Sequence, residues 1–163
     1  MKKPIEKANI AFDAIDRKIL ALLQADAGLP LASIAEQVNL SPTPCWRRIQ
    51  KMEETGIIQR RVALLDPVKL NLGVTVFVGI RTSHHNPDWL QRFNQAVQGI
   101  PEILEVHRMS GDVDYLLRVV VPDIAGYDKV YKKLIKSVEL TDVSSSFAME
   151  KLKSTTALPL DYA

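Results

Sequence analysis

The apolar residues of this chain change their period once, near residue 74, and that switch decides most of what the chain can fold into. Before it they recur at helical spacing. Ile15, Ile19, Leu22 and Leu23 fall at i, i+4, i+7 and i+8, one buried stripe. After it they alternate. Val74, Val76, Val78 and Ile80 interleave with Thr75, Phe77, Gly79 and Arg81. A helical unit therefore precedes a unit built on a sheet, and 163 residues are enough for both. We place the first at residues 1–66, with 1–12 as an arm lacking any apolar repeat, a hinge at 67–73, and the second at 74–163.

In the first unit Asp13 is expected to cap a helix whose first turn also holds Asp16, a favourable charge there. Gly28 and Pro30 end it. A short second helix, about Leu31 to Val38, sets Ile34, Ala35 and Val38 on one side, and Asn39-Leu40 makes a tight connection. Ser41 then reads as an N-cap and Pro42 as the first helical residue, with Pro44 still in the first turn. This third helix runs to about Thr55 and stops at Gly56. Residues 57–65 are β-like and suit a wing strand, ending at Asp66-Pro67.

In the second unit a strand over Val74–Arg81 leads to a helix starting at Asn86-Pro87, with Leu90, Phe93 and Val97 inward. A strand from Ile103 to Met109, a turn over Ser110–Asp114 and a strand over Tyr115–Val121 follow. Asp123 caps a helix with the stripe Ile124, Tyr127, Val130, Tyr131, Leu134 and Val138, and Val143–Met149 is the last strand. The order β-α-β-β-α-β is the split βαβ, or ferredoxin-like, arrangement, so the fold class is α+β. Apolar residues occur on both faces of these strands, yet two helices cover one face. A homodimer stacking sheet on sheet would cover the other.

Charge divides along the same boundary. Residues 1–64 hold ten Lys and Arg against seven Asp and Glu, a surplus of three; residues 65–163 hold eleven against twelve. A basic front half on a neutral back half suits a head that binds nucleic acid. One cysteine excludes an internal disulfide and a Cys-rich metal site. No apolar run reaches the length of a membrane span, and MKKPIEKANIAF has no apolar stretch behind its lysines that would make it a secretory signal. A reduced, cytoplasmic protein without a membrane partner is expected.

Two short helices joined tightly, the second bearing basic residues, read as a helix-turn-helix whose third helix enters the major groove of double-stranded DNA. On that helix Cys45, Ile49 and Met52 fall at i, i+4 and i+7 and face the core. Thr43, Trp46, Arg47 and Lys51 then lie on other faces, and Arg48 near the flank. His84 and His85 stand together before Asn86-Pro87 with no third ligand at metal spacing, so they read as a surface pair. The sequence lacks G-x-S-x-G, G-x-x-x-x-G-K-[ST], H-E-x-x-H and C-x-x-C, so no enzyme, cofactor or metal is expected. The rival class is a small ferredoxin-like amino-acid-binding module or enzyme with an accessory helical domain.

Several segments resemble the Lrp/AsnC family of transcription regulators. These are DRKILAL at Asp16–Leu22, Ile34-Ala35, LSPTPCWRRI at Leu40–Ile49, Met52-Glu53, Gly56-Ile57, Leu65-Asp66-Pro67, RMSGDVDYLL at Arg108–Leu117 and SSFAMEK at Ser145–Lys151. The resemblance spans about residues 13–159. It implies a winged helix-turn-helix head, a ferredoxin-like body, dimers that assemble into tetramers or octamers, and an amino-acid effector. Ser41, Thr43, Pro44, Trp46, Arg47 and Arg48 match the recognition-helix stretch, and Lys51 lies one turn beyond Arg47. Cys45 matches a buried position. Trp46 either packs on sugar or a thymine methyl or staples onto the wing. Arg60 and Arg61 either touch phosphate from the wing or edge a solvated strand. Gly111, Asp112 and Asp114, with Met109 opening the segment, match the effector loop. Carboxylates and backbone C=O groups there suit an ammonium, and hydroxyls of Ser144, Ser145 and Ser146 suit a carboxylate. The alternative is that Asp112 and Asp114 only shape a hairpin turn.

Overall fold

The computed structural model of the chain describes residues 12–84 and 86–162. The arm 1–11 and His85 therefore lie outside the described residues. The chain divides into two units, one formed by residues up to 64 together with those from 153 onward, the other by Leu65–Leu152.

The first unit holds three helices, α1 (Ala14–Ala25), α2 (Leu31–Gln37) and α3 (Pro42–Glu54). Asp13 opens α1 as expected. Its carboxylate accepts the Asp16 N–H at 2.8 Å while the Asp16 carboxylate accepts the Asp13 N–H at 3.4 Å, a reciprocal cap. The α2–α3 turn depends on Asn39 in the left-handed region, φ 56°. The N–H groups of Asn39 and Leu40 there reach back to Glu36 and Ala35, ending α2 in a Schellman turn. Ile19, Ile34, Ala35, Cys45, Ile49 and Met52 form the core of this unit. Fully burying an isoleucine such as Ile19 contributes about 1.5–3 kcal/mol. Residues 57–65 form no strand, contrary to the wing strand expected there. Their β-like composition finds no neighbouring strand among the described residues, and Val62, Leu64 and Leu65 stand exposed.

The C-terminal tail, assigned by sequence to the sheet unit, instead joins the helices. The side-chain amide of Gln24 on α1 accepts the Leu158 N–H at 2.6 Å and donates to the Leu158 C=O at 3.1 Å. Leu160 packs against the helical core.

The second unit follows the expected order. Its strands are β1 (Val74–Arg81), β2 (Ile103–Arg108), β3 (Tyr115–Val121) and β4 (Asp142–Phe147), and its helices α4 (Pro87–Gln98) and α5 (Ile124–Ser137). The sheet runs β2-β3-β1-β4 with every pairing antiparallel. Val76, Val78, Ile80, Leu117, Val119 and Val121 face the helices. Trp89 and Phe93 stack there at 5.0 Å between ring centroids, and Tyr115 tilts against both. Trp89 takes the inward place expected of Leu90: with Phe93 and Val97 it forms the buried stripe at i, i+4 and i+8, and its indole N–H donates to the Glu139 C=O at 2.8 Å. Ile124, expected inward on α5, is exposed in the first turn.

The face away from the helices is mixed. Pairing across the sheet places Phe77 beside Arg118 and Ser146, and Gly79 beside Leu116 and Ser144. Glu105 meets Arg118 at 2.6 Å and His107 at 3.3 Å on this face. The Arg118 guanidinium, then His107, hold the Glu105 carboxyl below the usual carboxylate range.

Candidate nucleic-acid interface and ligand loop

The side chains of α3 sort by helical phase. Cys45, Ile49 and Met52 are buried, and burial raises the Cys45 thiol pKa, which keeps it an inert packing group. Thr43, Arg47 and Lys51, at i, i+4 and i+8, form an exposed stripe. Arg47, Lys51 and Arg60 make no ion pair among the described residues. Ser41 stands at the N-cap with extended backbone, yet its side chain makes no cap hydrogen bond. A cap hydroxyl ordinarily accepts from N2 or N3; Pro44 at N3 has no N–H, which leaves Thr43 at N2 as the one possible donor. Ser41 and Pro44 are thus exposed at the leading end of α3.

Arg48 differs from its neighbour. Its Nη1 lies 2.6 Å from Asp13 Oδ2 and 2.8 Å from Asp16 Oδ1, so it ties α3 to the start of α1. The Asp16 N–H and then Arg48 hold the Asp13 carboxyl below its ordinary value. Asp13, Asp16, Arg47, Arg48 and Lys51 border one open cleft of about 450 Å³. On the opposite flank Trp46, half exposed, borders a cleft of about 350 Å³ with Leu31, Ile34 and Ile49. Arg61 reaches this flank too and pairs with Glu53 at 2.9 Å. Adjacent arginines look alike in sequence. The phase set by Cys45, Ile49 and Met52 separates Arg47 from Arg48, but nothing local marks Asp13 and Asp16 as partners of a residue more than thirty positions away.

The second assembly lies at one end of the sheet. The loop between β2 and β3 folds onto β1. The Asp114 N–H donates to the Ile80 C=O at 2.8 Å, and the Thr82 N–H donates to Asp114 Oδ2 at 2.8 Å. Arg81 Nε donates to the Asp112 C=O at 2.6 Å. Gly111 adopts φ 122°, a conformation that favours glycine. A Cβ on Gly79 would lie 3.0 Å from Val113 Cγ1, so that glycine makes room for the loop on the uncovered face. Met109 and Asp112 are exposed beside it.

Ser145 and Ser146, both expected at the effector site, lie on opposite faces of the sheet. Ser146 shares the uncovered face with the loop, as Ser144 does, because both pair with outward residues of β1. Ser145 points to the helices, where its hydroxyl hydrogen-bonds the Tyr127 hydroxyl. Arg81, Thr82 and Gly79 were missed by the sequence reading; a glycine among β-branched strand residues was the signal for the last. His84 lies 3.2 Å from the exposed Glu139 carboxylate. Among the described residues no group of three or more metal-ligating side chains gathers, and no helix is long and apolar enough to cross a membrane.

Known proteins share both units. The Lrp/AsnC ligand binding domain matches residues 75–158, and the winged helix-turn-helix DNA-binding domain matches residues 12–59. The DNA-binding transcriptional activator DecR of Escherichia coli is 53% identical over 150 residues, covering 91% of this chain and 99% of that protein. A crystal structure of an AsnC family transcriptional regulator from Agrobacterium tumefaciens superposes with a TM-score of 0.89 at 64% identity, covering 93% of this chain and 99% of that one. A Neisseria meningitidis transcriptional regulator in complex with L-methionine gives the same TM-score at 34% identity, with the same coverage. The chain therefore belongs to the Lrp/AsnC family, DNA-binding transcriptional regulators with a winged helix-turn-helix head and a ligand-binding domain.

Proposed function

We propose that this regulator seats α3 in the major groove and senses an amino acid at the loop over Met109–Asp114. The observation that carries the first part is the exposed stripe Thr43, Arg47 and Lys51, opposite the buried Cys45, Ile49 and Met52. Ser41 and Pro44 lead the helix toward the DNA, Trp46 flanks it, and Arg60 adds charge for phosphate. Asp112 and loop C=O groups suit the effector's ammonium, and Ser146 with loop N–H groups its carboxylate. The L-methionine bound by the Neisseria meningitidis relative supports an amino acid as the class.

Copies of the chain pair through the uncovered sheet face, where Phe77 is 40% exposed, and the dimers assemble further. The protein works in the cytoplasm and catalyses no reaction. Binding to DNA upstream of its own gene, titrated with each of the twenty amino acids, tests this reading. One or a few amino acids should change the affinity. The same ligands at about 100 times their Kd should stabilise the protein by about 2.7 kcal/mol. Absence of both upstream-DNA preference and amino-acid stabilisation would refute it.

A further inference from the structure

We propose that Arg48 serves DNA recognition without touching DNA: held by Asp13 and Asp16, it fixes the rotation of α3 that aims Arg47 and Lys51. The inference rests on reading α3 as the DNA-facing helix. The apolar contacts of Cys45, Ile49 and Met52 set which face of α3 turns to the core, and they lie on the side away from Arg47 and Lys51. The N-terminus of α3 receives no side-chain cap from Ser41, and Pro42 and Pro44 remove two of its donors. The two-point contact of Arg48 Nη1, 2.6 Å to Asp13 and 2.8 Å to Asp16, adds a directional tie at the flank of α3 that fixes its rotation more finely.

With side chains a helix has a radius of about 5–6 Å, so a rotation of about 20° moves a side chain by about 2 Å. That displacement is enough to break a hydrogen bond to a base edge. A phosphate contact, which depends chiefly on charge near the backbone, tolerates it better.

A positioning role for Arg48 has the opposite sign to simple electrostatics. Asp13 and Asp16 border the same cleft as Arg47 and Lys51. Removing a carboxylate there should ease repulsion from phosphates and tighten binding. A positioning role instead requires specific binding to weaken. Asn can occupy both cap positions without the charge, since its oxygen still accepts an N–H.

The test uses the full chain with Asp16→Asn, Arg48→Gln and the double variant. Affinity for the upstream DNA and for unrelated DNA is measured across a salt series, beside thermal melts. Each single variant should lose about tenfold in preference for the upstream DNA, with non-specific affinity and salt slope retained. The double variant should lose no more than Arg48→Gln alone. Loss of head structure would lower both affinities together, and Arg48→Lys then decides. A lysine keeps the charge, but its stem is one bond shorter and does not bring a nitrogen to the place of Nη1 between the two carboxylates, so preference should fall while the salt slope holds. Three results would overturn the proposal: a salt slope reduced by about one in Arg48→Gln with uniform loss of affinity, tighter binding by Asp16→Asn, or unchanged preference in both singles. An Arg47→Ala control without effect would instead count against α3 as the DNA-facing helix.

Discussion

Arg47 and Arg48 are neighbours of one chemistry, and the turn of about 100° between successive helical residues gives them different surroundings. Asp114 illustrates the same point in the loop. Sequence left it either as an effector ligand or as a turn residue. In the structure one of its carboxylate oxygens receives the N–H of Thr82, a buried residue. Asp114→Ala should therefore leave that donor unpaired, cost about 1–3 kcal/mol and lower the melting temperature. Asp114→Asn keeps an acceptor oxygen, so it should melt like the native protein. If the charge meets the effector's ammonium, it should still lose the amino-acid response. Calorimetry beside melting curves separates the two roles, and full effector affinity in Asp114→Asn would remove the residue from the site. None of this was legible beforehand, because Thr82 and Asp114 are distant in sequence and nothing in either residue type names the other.

At the scale of elements, sequence read best where burial imposes a period. Val74–Arg81 and Tyr115–Val121 have the expected bounds, and Asp13, Asn86 and Asp123 each accept an N–H at their helix N-termini. Sequence read worst where partners decide. Residues 57–65 have the composition of a strand but find no strand beside them among the described residues, and Trp89, not Leu90, joins Phe93 and Val97 in the buried stripe of α4. Ser145 and Ser146 were separable by alternation once β4 was set against β1. The tail gave no such signal, since Gln24 and Leu158 are unremarkable residues that become partners through the fold. A chain ending at Leu152 should destabilise the helical unit. The two Gln24–Leu158 hydrogen bonds contribute about 0.5–1.5 kcal/mol each, and the contact of Leu160 is lost as well. Thermal melts followed by the helical circular dichroism signal check this, and an unchanged first transition would argue against the tail as part of that unit.

Across the whole molecule, the period switch near residue 74 correctly announced a helical unit followed by a sheet unit, and the charge surplus of the first 64 residues marked the unit that matches a DNA-binding domain. The family and both domain types were legible because LSPTPCWRRI and GDVDYLL are distinctive strings. The crossing of the tail back to the first unit was not. The central claim is that α3 reads DNA through its outward stripe. It is tested most directly by fluorescence anisotropy on the upstream DNA, comparing the native chain with a folded Arg47→Ala variant across a salt series. The account predicts a loss of about 1–3 kcal/mol, concentrated at one base pair if Arg47 grips a guanine, or spread evenly with a salt slope smaller by about one if it grips a phosphate. Unchanged affinity and unchanged slope would contradict it.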